Sequence, residues 1–555
     1  MYDDYLPRTP SRTLPLVAAA LAILLFWLVG YPLVLTLLEA LGAPRFTLAH
    51  FADFARRPAE WQALWASLWI SLVTVILSAA IGVPLAFLFE RAEFPGRRAL
   101  GVLVALPVAL PPLVGVIAFL FLYGESGFAS RAVQAVLRLE HPPWRLSGPA
   151  AILLVHAYSM YVYFYLFTRA GLARLDFAYL EAAKSLGAGR WRTAFAVTLP
   201  LLSPALSGAA LLTFMTSLAS FSAPYVFGGS FRVMTTQIVA SKLNGDIALA
   251  MVETVALAAV GFGGLYLLRR TEARSVVGTV RGVAPRRALA GGRFVLAAAG
   301  WVLAALLLLP HASLILLSFV PRNTWTTEAL PPVLDLGNYA SLFREPEHLR
   351  PIVNSLWMAA AATAAALLLG FLAADAAVRG RRKGRFALGN VLEWLIAAPW
   401  ALPGTVFAMA LAAAFSVHRP AAARFVLVGT AAILPLAYLV RSLPLTGRAA
   451  FAGLRQMDPA LEEAAASLGA GAGRRLTRIV LPHLKPALLA GASLAFLTSL
   501  GDFVVSIVLY TYSTRPISIE ILSAMRLQEI GVAAAYGVLL TLLSAAAFLT
   551  WGRRA

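Results

Sequence analysis

Glu181-Ala-Ala-Lys-Ser-Leu-Gly-Ala-Gly189, continued by residues 190–200, separates two long apolar segments. It recurs 282 positions later as Glu463-Ala-Ala-Ala-Ser-Leu-Gly-Ala-Gly471, continued to Pro482. Between 181–206 and 463–488, 15 of 26 positions are identical without a gap. The surrounding composition makes the loop conspicuous. The 555-residue chain is 60% hydrophobic and 13% charged, with mean hydropathy +0.78, whereas soluble domains carry about a quarter charged residues. A hydrophobic protein that keeps one polar loop twice is expected to use it to touch something outside the membrane.

On either side of the loops lie apolar runs at about 14–38, 62–89, 99–123, 148–168, 201–228 and 247–268. After a basic linker, others lie at 294–319, 352–378, 387–417, 424–446, 484–511 and 531–551. Most reach the roughly 20 residues that carry a helix across the hydrocarbon core. The first run exceeds a signal peptide's apolar region and lacks a small-residue cleavage site, so it reads as a retained helix. The expected fold is an all-α integral membrane protein with about twelve transmembrane helices. Its expected parts are a first half at 1–268 (loop 176–200), a basic cytoplasmic linker at 269–293, and a second half at 294–555 (loop 458–482). Six helices per half is an even number, so the halves insert in the same direction as two parallel repeats about an axis along the membrane normal. Shorter repeats agree: Ser67-Leu-Trp69 matches Ser355-Leu-Trp357, and Ala109-Leu-Pro111 matches Ala401-Leu-Pro403.

The net charge of +20 is explained by topology. Lys and Arg favour the N-terminal side of the membrane by about two to one, which predicts cytoplasmic N- and C-termini and cytoplasmic loops. The clusters Arg269-Arg270 and 379–385 flank helix ends, where basic side chains anchor against anionic headgroups. The lipid bilayer is the expected partner of these charges, and no nucleic acid is expected. The chain has no cysteine, which rules out disulfides and thiolate metal sites. It contains no Gly-x-x-x-x-Gly-Lys-[Ser/Thr], and Gly380-Arg-Arg-Lys-Gly-Arg385 has the wrong spacing for a phosphate-cradling loop. The chain is not expected to be an enzyme.

Within each loop, Asp176 and Asp458 sit five residues before the paired glutamates and are expected to cap a helix N-terminus. Pro459 suits the first helical position. Alanine-rich helix follows, ended by Gly187 and Gly469 in the left-handed conformation. A second short helix is expected from about Gly189 to Leu199 and from Gly471 to Leu481, ended by Pro200 and Pro482.

Glu-Ala-Ala, then Gly four residues after the second Ala, then Leu-Pro, resembles the EAA loop of ABC importer permeases. The resemblance implies a type I ABC importer permease-like fold, and a short helix that docks in a groove on a separate ATPase subunit and couples its closure to the membrane helices. By resemblance, Asp176, Glu181, Ala182, Ala183 and Gly187 form the first contact. Asp458, Glu463, Ala464, Ala465 and Gly469 form the second. Lys184 is replaced by Ala466, so charge there is not required by both contacts. The implied partners are two copies of the ABC ATPase, which uses the ATP, and an extracytoplasmic solute-binding protein. This chain itself is expected to hold no cofactor and no metal, and to reside as a multi-pass protein in a bacterial cytoplasmic (inner) membrane.

The fused layout, with Ser-Leu-Gly-Asp-Phe at 499–503 and Arg515-Pro-Ile-Ser518, is most similar to ferric iron permeases. Thiamine permeases share the layout and a similar Gly-Asp-Phe; phosphonate and polyamine systems are alternatives. A secondary transporter with two parallel repeats is the rival class, and a channel the third.

Ionisable groups in apolar runs are costly, and each needs an account. Asp502, with repeat partner Ser220, is placed towards the outer face, either lining the pathway or sitting as an interfacial carboxylate. Glu253 is expected to be solvated, and Arg441 to reach the cytoplasmic surface. His156 reads as an interhelical hydrogen-bonder. The tyrosines at 158, 161, 163 and 165 cannot share one helical face, so some must meet neighbours. Pro107, Pro111, Pro112, Pro399 and Pro403 predict distorted third helices.

Overall fold

The computed structural model describes residues 13–109, 111–274, 287–288, 292–324, 330–382 and 386–552. The N-terminal arginines Arg8 and Arg12, most of the basic linker and the end of the basic turn at 383–385 lie outside the described residues.

The first half opens with α1 (Thr13–Leu25) and α2 (Tyr31–Ala40), joined by a π turn, then α3 (Ala49–Arg56) and α4 (Pro58–Arg91). Its third membrane helix is broken into α5 (Arg97–Ala105) and α6 (Pro112–Tyr123), followed by α7 (Phe128–Leu137) and α8 (Gly148–Ala173). The loop helix α9 (Phe177–Ser185) leads through α10 (Arg190–Thr193) to α11 (Leu199–Leu218). Short α12 (Ser222–Phe227) and α13 (Met234–Leu243) precede α14 (Ile247–Arg274). The second half repeats the plan: α15 (Arg293–Ser318), α16 (Gly337–Arg344), α17 (Pro346–Arg382), the broken pair α18 (Phe386–Ala397) and α19 (Gly404–Phe415), and α20 (Ile433–Gln456). Its loop helix α21 (Pro459–Ser467) is followed by α22 (Ala472–Arg475), α23 (Leu481–Leu500), α24 (Val504–Leu509), α25 (Ile517–Arg526) and α26 (Ile530–Gly552). A two-residue parallel pairing ties linker residues Arg287–Ala288 to Ala92–Glu93 at the end of α4.

Among the described residues, ten helices are long and apolar enough to cross a membrane, or eleven if α18 and α19 are one span. The remaining repeat position is filled by α20, the counterpart of α8. Arg441 and Arg448 lower its hydropathy, and much of it is buried against α17 and α23. Its start at Ile433 lies later than the apolar run at 424–446, because 424–432 is irregular. The runs expected at 201–228 and 484–511 also end early, at Leu218 and Leu500, and turn into short helices.

Proline explains the breaks. The second half's third helix bends by 113° between α18 and α19, where Pro399 and Pro403 remove backbone donors. The first half breaks between Ala105 and Pro112. At Pro200 and Pro482 the outcome differs from the sequence expectation. Neither proline ends a helix. A π turn lies immediately before each, at Ala194–Thr198 and Leu476–Val480, and the helix runs on into α11 or α23. Widening that turn gives the proline ring room against the preceding carbonyls.

The halves interlock. The first membrane helix of each half packs on the other: α1 and α2 against α17, α18 and α19, and α15 against α5 and α6. Trp27 at the head of this contact donates Nε1–H to Ala421 O at 2.9 Å and meets the Phe415 ring at 5.4 Å. Backbone approaches are as close at Gly261, where an added Cβ would lie 2.5 Å from Ala401 O.

Candidate functional site

Both loops protrude from one end of the bundle, and their local chemistry explains their shape. Asp176 accepts the N–H of Ala178 at 3.0 Å, and Asp458 that of Ala460 at 2.9 Å, so each aspartate caps its helix. At the other end Gly187 N–H donates to Lys184 O and Ala188 N–H to Ala183 O, both at 2.9 Å. The second loop repeats this with Gly469 to Ala466 (3.0 Å) and Ala470 to Ala465 (2.9 Å). This paired closure needs a left-handed residue, and Gly187 and Gly469 have φ of +78° and +79°. Glu181, Ala182, Glu463 and Ala464 face solvent. Leu186 and Leu468, just before the glycines, are each 88% exposed. Each loop thus presents the same exposed leucine on a helix closed at both ends by its own hydrogen bonds.

Among the described residues each loop helix buries one side chain against its own bundle, and the two seats differ. In the first half, Leu180 joins Leu172, Leu175 and Leu202 in a buried cluster with Phe87 beside it. The repeat equivalents Leu454, Met457 and Leu484 are also buried, but Glu462 stands where Leu180 does. Arg379 of α17 donates to Glu462 at 2.8 Å and to Asp375 at 2.7 Å. Arg379→Ala would leave Glu462 nearly buried and unpaired. Because Arg379 is about one-third exposed, the expected loss is about 1–3 kcal/mol, below the range for a fully buried pair. Calorimetry of the variant should show a lowered Tm, recovered when Asp375→Phe and Glu462→Leu are added to rebuild the apolar seat.

At the far end of the bundle the repeats Ser67 and Ser355 acquire a purpose that sequence reading did not supply. Ser67 Oγ accepts the buried N–H of Met234 at 2.7 Å, and Ser355 Oγ that of Ile517 at 2.8 Å. Each serine fixes the start of a short helix, α13 or α25, against the long helix carrying it. Thr235 Oγ donates to Ser220 O at 2.8 Å and Ser518 Oγ to Asp502 O at 2.6 Å, tying the same short helix to the turn after α11 or α23. Ser67→Ala or Ser355→Ala leaves one buried N–H without an acceptor and should cost about 1–3 kcal/mol, read as a lowered Tm in detergent.

Those two turns carry the expected pathway residues Ser220 and Asp502, each followed by phenylalanine. Phe221 and Phe503 are buried, and their rings meet at 5.6 Å between centroids. They are repeat equivalents, so a contact between them must straddle the pseudo-two-fold axis. Tyr225 completes the cluster, 5.1 Å from Phe221 and 6.0 Å from Phe503. This aromatic cluster therefore lies at the axis, about 30 Å along α11 from its loop end.

Two ionisable residues, Arg441 and Glu253, are placed differently from expectation. Asp502 lies beyond the end of α23, where Oδ1 accepts the N–H of Val505, in the first turn of α24, at 2.8 Å. Arg441 does not reach the loop-end surface. It lies two turns into α20 from the opposite end and pairs with Asp502 Oδ2 at 3.3 Å. Its guanidinium crosses Gly404, where an added Cβ would sit 1.9 Å from Nη1. Glu253 is not solvated: it is fully buried and accepts Ser241 Oγ–H at 2.7 Å. Glu253 is covered by α13 through Ser241, and Arg441 is held by Asp502 in the turn before α24; neither short helix is visible in an apolar run. His156 is an interhelical hydrogen-bonder as expected, with Nε2 2.8 Å from Ser220 Oγ and Nδ1 3.2 Å from Ser217 Oγ. Tyr158, Tyr161 and Tyr165 donate to backbone carbonyls of Leu307, Val104 and Gly101 on neighbouring helices.

Residues 81–274 and 366–551 each match the family described as "binding-protein-dependent transport system inner membrane component". The chain is 31% identical over 517 residues to a Sinorhizobium fredii protein named "Probable ABC transporter permease protein y4fN", covering 90% of this chain and 89% of that one. It is 29% identical to the ferric transport system permease protein FbpB of Actinobacillus pleuropneumoniae, covering 86% of this chain and 68% of that one. Similarity to the thiamine transport system permease protein ThiP of Brucella abortus is 28%, over 50% of this chain and 52% of that one.

Proposed function

The chain belongs to the family of binding-protein-dependent transport system inner membrane components, and from that premise we propose that it is the fused permease of an ATP-driven ferric iron importer. The observation that carries the coupling half of this reading is the pair of capped, glycine-closed loops presenting Leu186 and Leu468 at one end of the bundle. Two such loops fit two copies of one ATPase, each receiving the same exposed leucine and the same glutamate, Glu181 or Glu463. The roughly two-to-one excess of Lys and Arg on the loop side supports a cytoplasmic position for the loops and both termini. A soluble solute-binding protein then delivers cargo at the far end, above Phe221 and Phe503.

The meeting of Phe221 and Phe503 corresponds to the shut state of the pathway in this reading. Closure of the ATPase dimer brings the loops together and separates the rings, opening the pathway to the delivered solute. A hydrophobic constriction of this kind gates by excluding water when shut. ATP hydrolysis remains with the partner.

Ferric iron is supported by the ferric transport relatives and by Ser-Leu-Gly-Asp-Phe at 499–503. Thiamine is the second reading, supported by the ThiP similarity over half of the chain. Proteoliposomes holding the complete complex with its binding protein distinguish them. Accumulation of radioactive ferric iron that needs ATP is expected; accumulation of thiamine in its place would overturn the iron assignment.

A further inference from the structure

Each loop helix is joined to a long helix by a very short connection. Only residues 174–176 separate α8 from α9, and only residues 457–458 separate α20 from α21. Following α8 back from the loop for about 26 Å reaches His156, and following α20 for about 23 Å reaches Arg441. Both residues contact the one position that immediately precedes a ring of the central pair, His156 by a hydrogen bond and Arg441 by an ion pair. His156 Nε2 meets Ser220 Oγ at 2.8 Å, and Arg441 Nη1 meets Asp502 Oδ2 at 3.3 Å.

We infer that His156 and Arg441 are positioning residues that latch the loop-bearing helices α8 and α20 to the two halves of the aromatic gate. This inference rests on the gate and ATPase-coupling reading given above. A long helix transmits a displacement of its loop end along its length, but moves a neighbouring turn only if something grips that turn. Ser220 and Asp502 are well suited to be gripped. Their carbonyl oxygens already hold Thr235 and Ser518 of the short helices, so a pull on either residue moves the turn and its phenylalanine together.

The two latches differ in chemistry and in position. The repeat equivalent of His156 is Tyr438, which bonds Ser506 at 2.7 Å, one turn beyond Asp502. The equivalent of Arg441 is Ser159, whose hydroxyl donates to its own helix at Val155 O. The same mechanical link is thus made by a neutral hydrogen bond in one half and by an ion pair in the other. Gly404 is required beside the second, since any side chain there would displace the guanidinium.

The absence of native cysteine allows a direct test in the assembled complex with its ATPase. Phe221→Cys with Phe503→Cys is crosslinked by an oxidant in the nucleotide-free state and in the vanadate-trapped state. With both latches intact, trapping should lower the crosslinked fraction by about fivefold or more, the low end of ordinary coupling. Adding His156→Ala and Arg441→Ala should keep the fraction near its resting value while vanadate-sensitive ATP hydrolysis continues. The exchange Arg441→Asp with Asp502→Arg, which keeps the ion pair, should restore the fall when His156 is present. A full fall in the latch-free variant overturns the latches and leaves the gate standing. No fall in the parent overturns the gate assignment itself. If the latch-free variant fails to assemble, Arg441→Ala alone with the charge exchange as its rescue decides the second latch by the same readout.

Discussion

Replacing Phe221 and Phe503 together by alanine is expected to produce a permease that leaks without ATP. The rings meet across the pseudo-two-fold axis, are buried, and have Tyr225 beside them. An aromatic pair contributes about 0.5–1.5 kcal/mol beyond its buried area, and each buried Phe→Ala truncation costs about 3–5 kcal/mol of packing. Only the share of that loss borne by the closed state, relative to the open one, changes the gate. If that share is as small as about 1.4 kcal/mol, the open population still rises about tenfold. Ion conductance through proteoliposomes lacking ATPase and nucleotide should rise by at least that factor. Either single substitution should have a smaller effect, because the remaining ring and Tyr225 still fill the axis. Conductance unchanged in the double variant would place the barrier elsewhere.

The second large effect is expected at the loops. Gly187 and Gly469 hold φ near +80° with nothing within 4 Å of a hypothetical Cβ. Substitution there is therefore a test of backbone conformation uncomplicated by clashes. A left-handed residue other than glycine costs about 1–2 kcal/mol, a factor of about 5–30 in the population of correctly closed loop. With both loops required, the two factors multiply. Gly187→Val with Gly469→Val should abolish co-purification of the ATPase and ATP-driven uptake, while asparagine, which tolerates this region, should retain much of both. Equal loss with asparagine and valine would show that the glycines serve some purpose other than their conformation.

The fold was largely legible because membrane constraints are severe. A helix that crosses the hydrocarbon must be long and apolar, and the duplicated loop set the register between halves. The loop was legible almost atom by atom: Asp, Ala-rich helix, Leu-Gly-Ala is a complete set of capping instructions. Pro200 and Pro482 misled because proline is read as a terminator, and only the preceding π turns show how the chain accommodates it. The far end was legible only in outline. Short helices such as α13 and α25 do not stand out from the apolar runs around them, yet they bury Glu253 and hold Asp502. Ser67-Leu-Trp and Ser355-Leu-Trp were visible as a repeat with no assigned purpose, since their partners, Met234 and Ile517, lie 167 and 162 residues away. The axial contact of Phe221 with Phe503 was available in principle. Both follow the paired Ser220 and Asp502, and equivalent residues at the end of corresponding helices are the ones a two-fold axis can bring together.

The seats of the two loop helices carry a related lesson. Identity between the copies runs through the exposed surface, Glu-Ala-Ala and Ser-Leu-Gly-Ala-Gly, while the buried seat differs, Leu180 with Phe87 in one and Glu462 with Arg379 and Asp375 in the other. A repeated outer face over unlike inner faces fits the proposed pair of contacts with two copies of one partner.

The central claim, that each chain engages two ATPase subunits through its two loops, is tested most directly by the mass of the intact complex purified with its ATPase and measured by native mass spectrometry. One chain with two ATPase copies, falling to one copy when a single loop glycine is replaced by valine, is the predicted result. A chain that carries no ATPase, and takes up solute on a proton gradient alone, would contradict it.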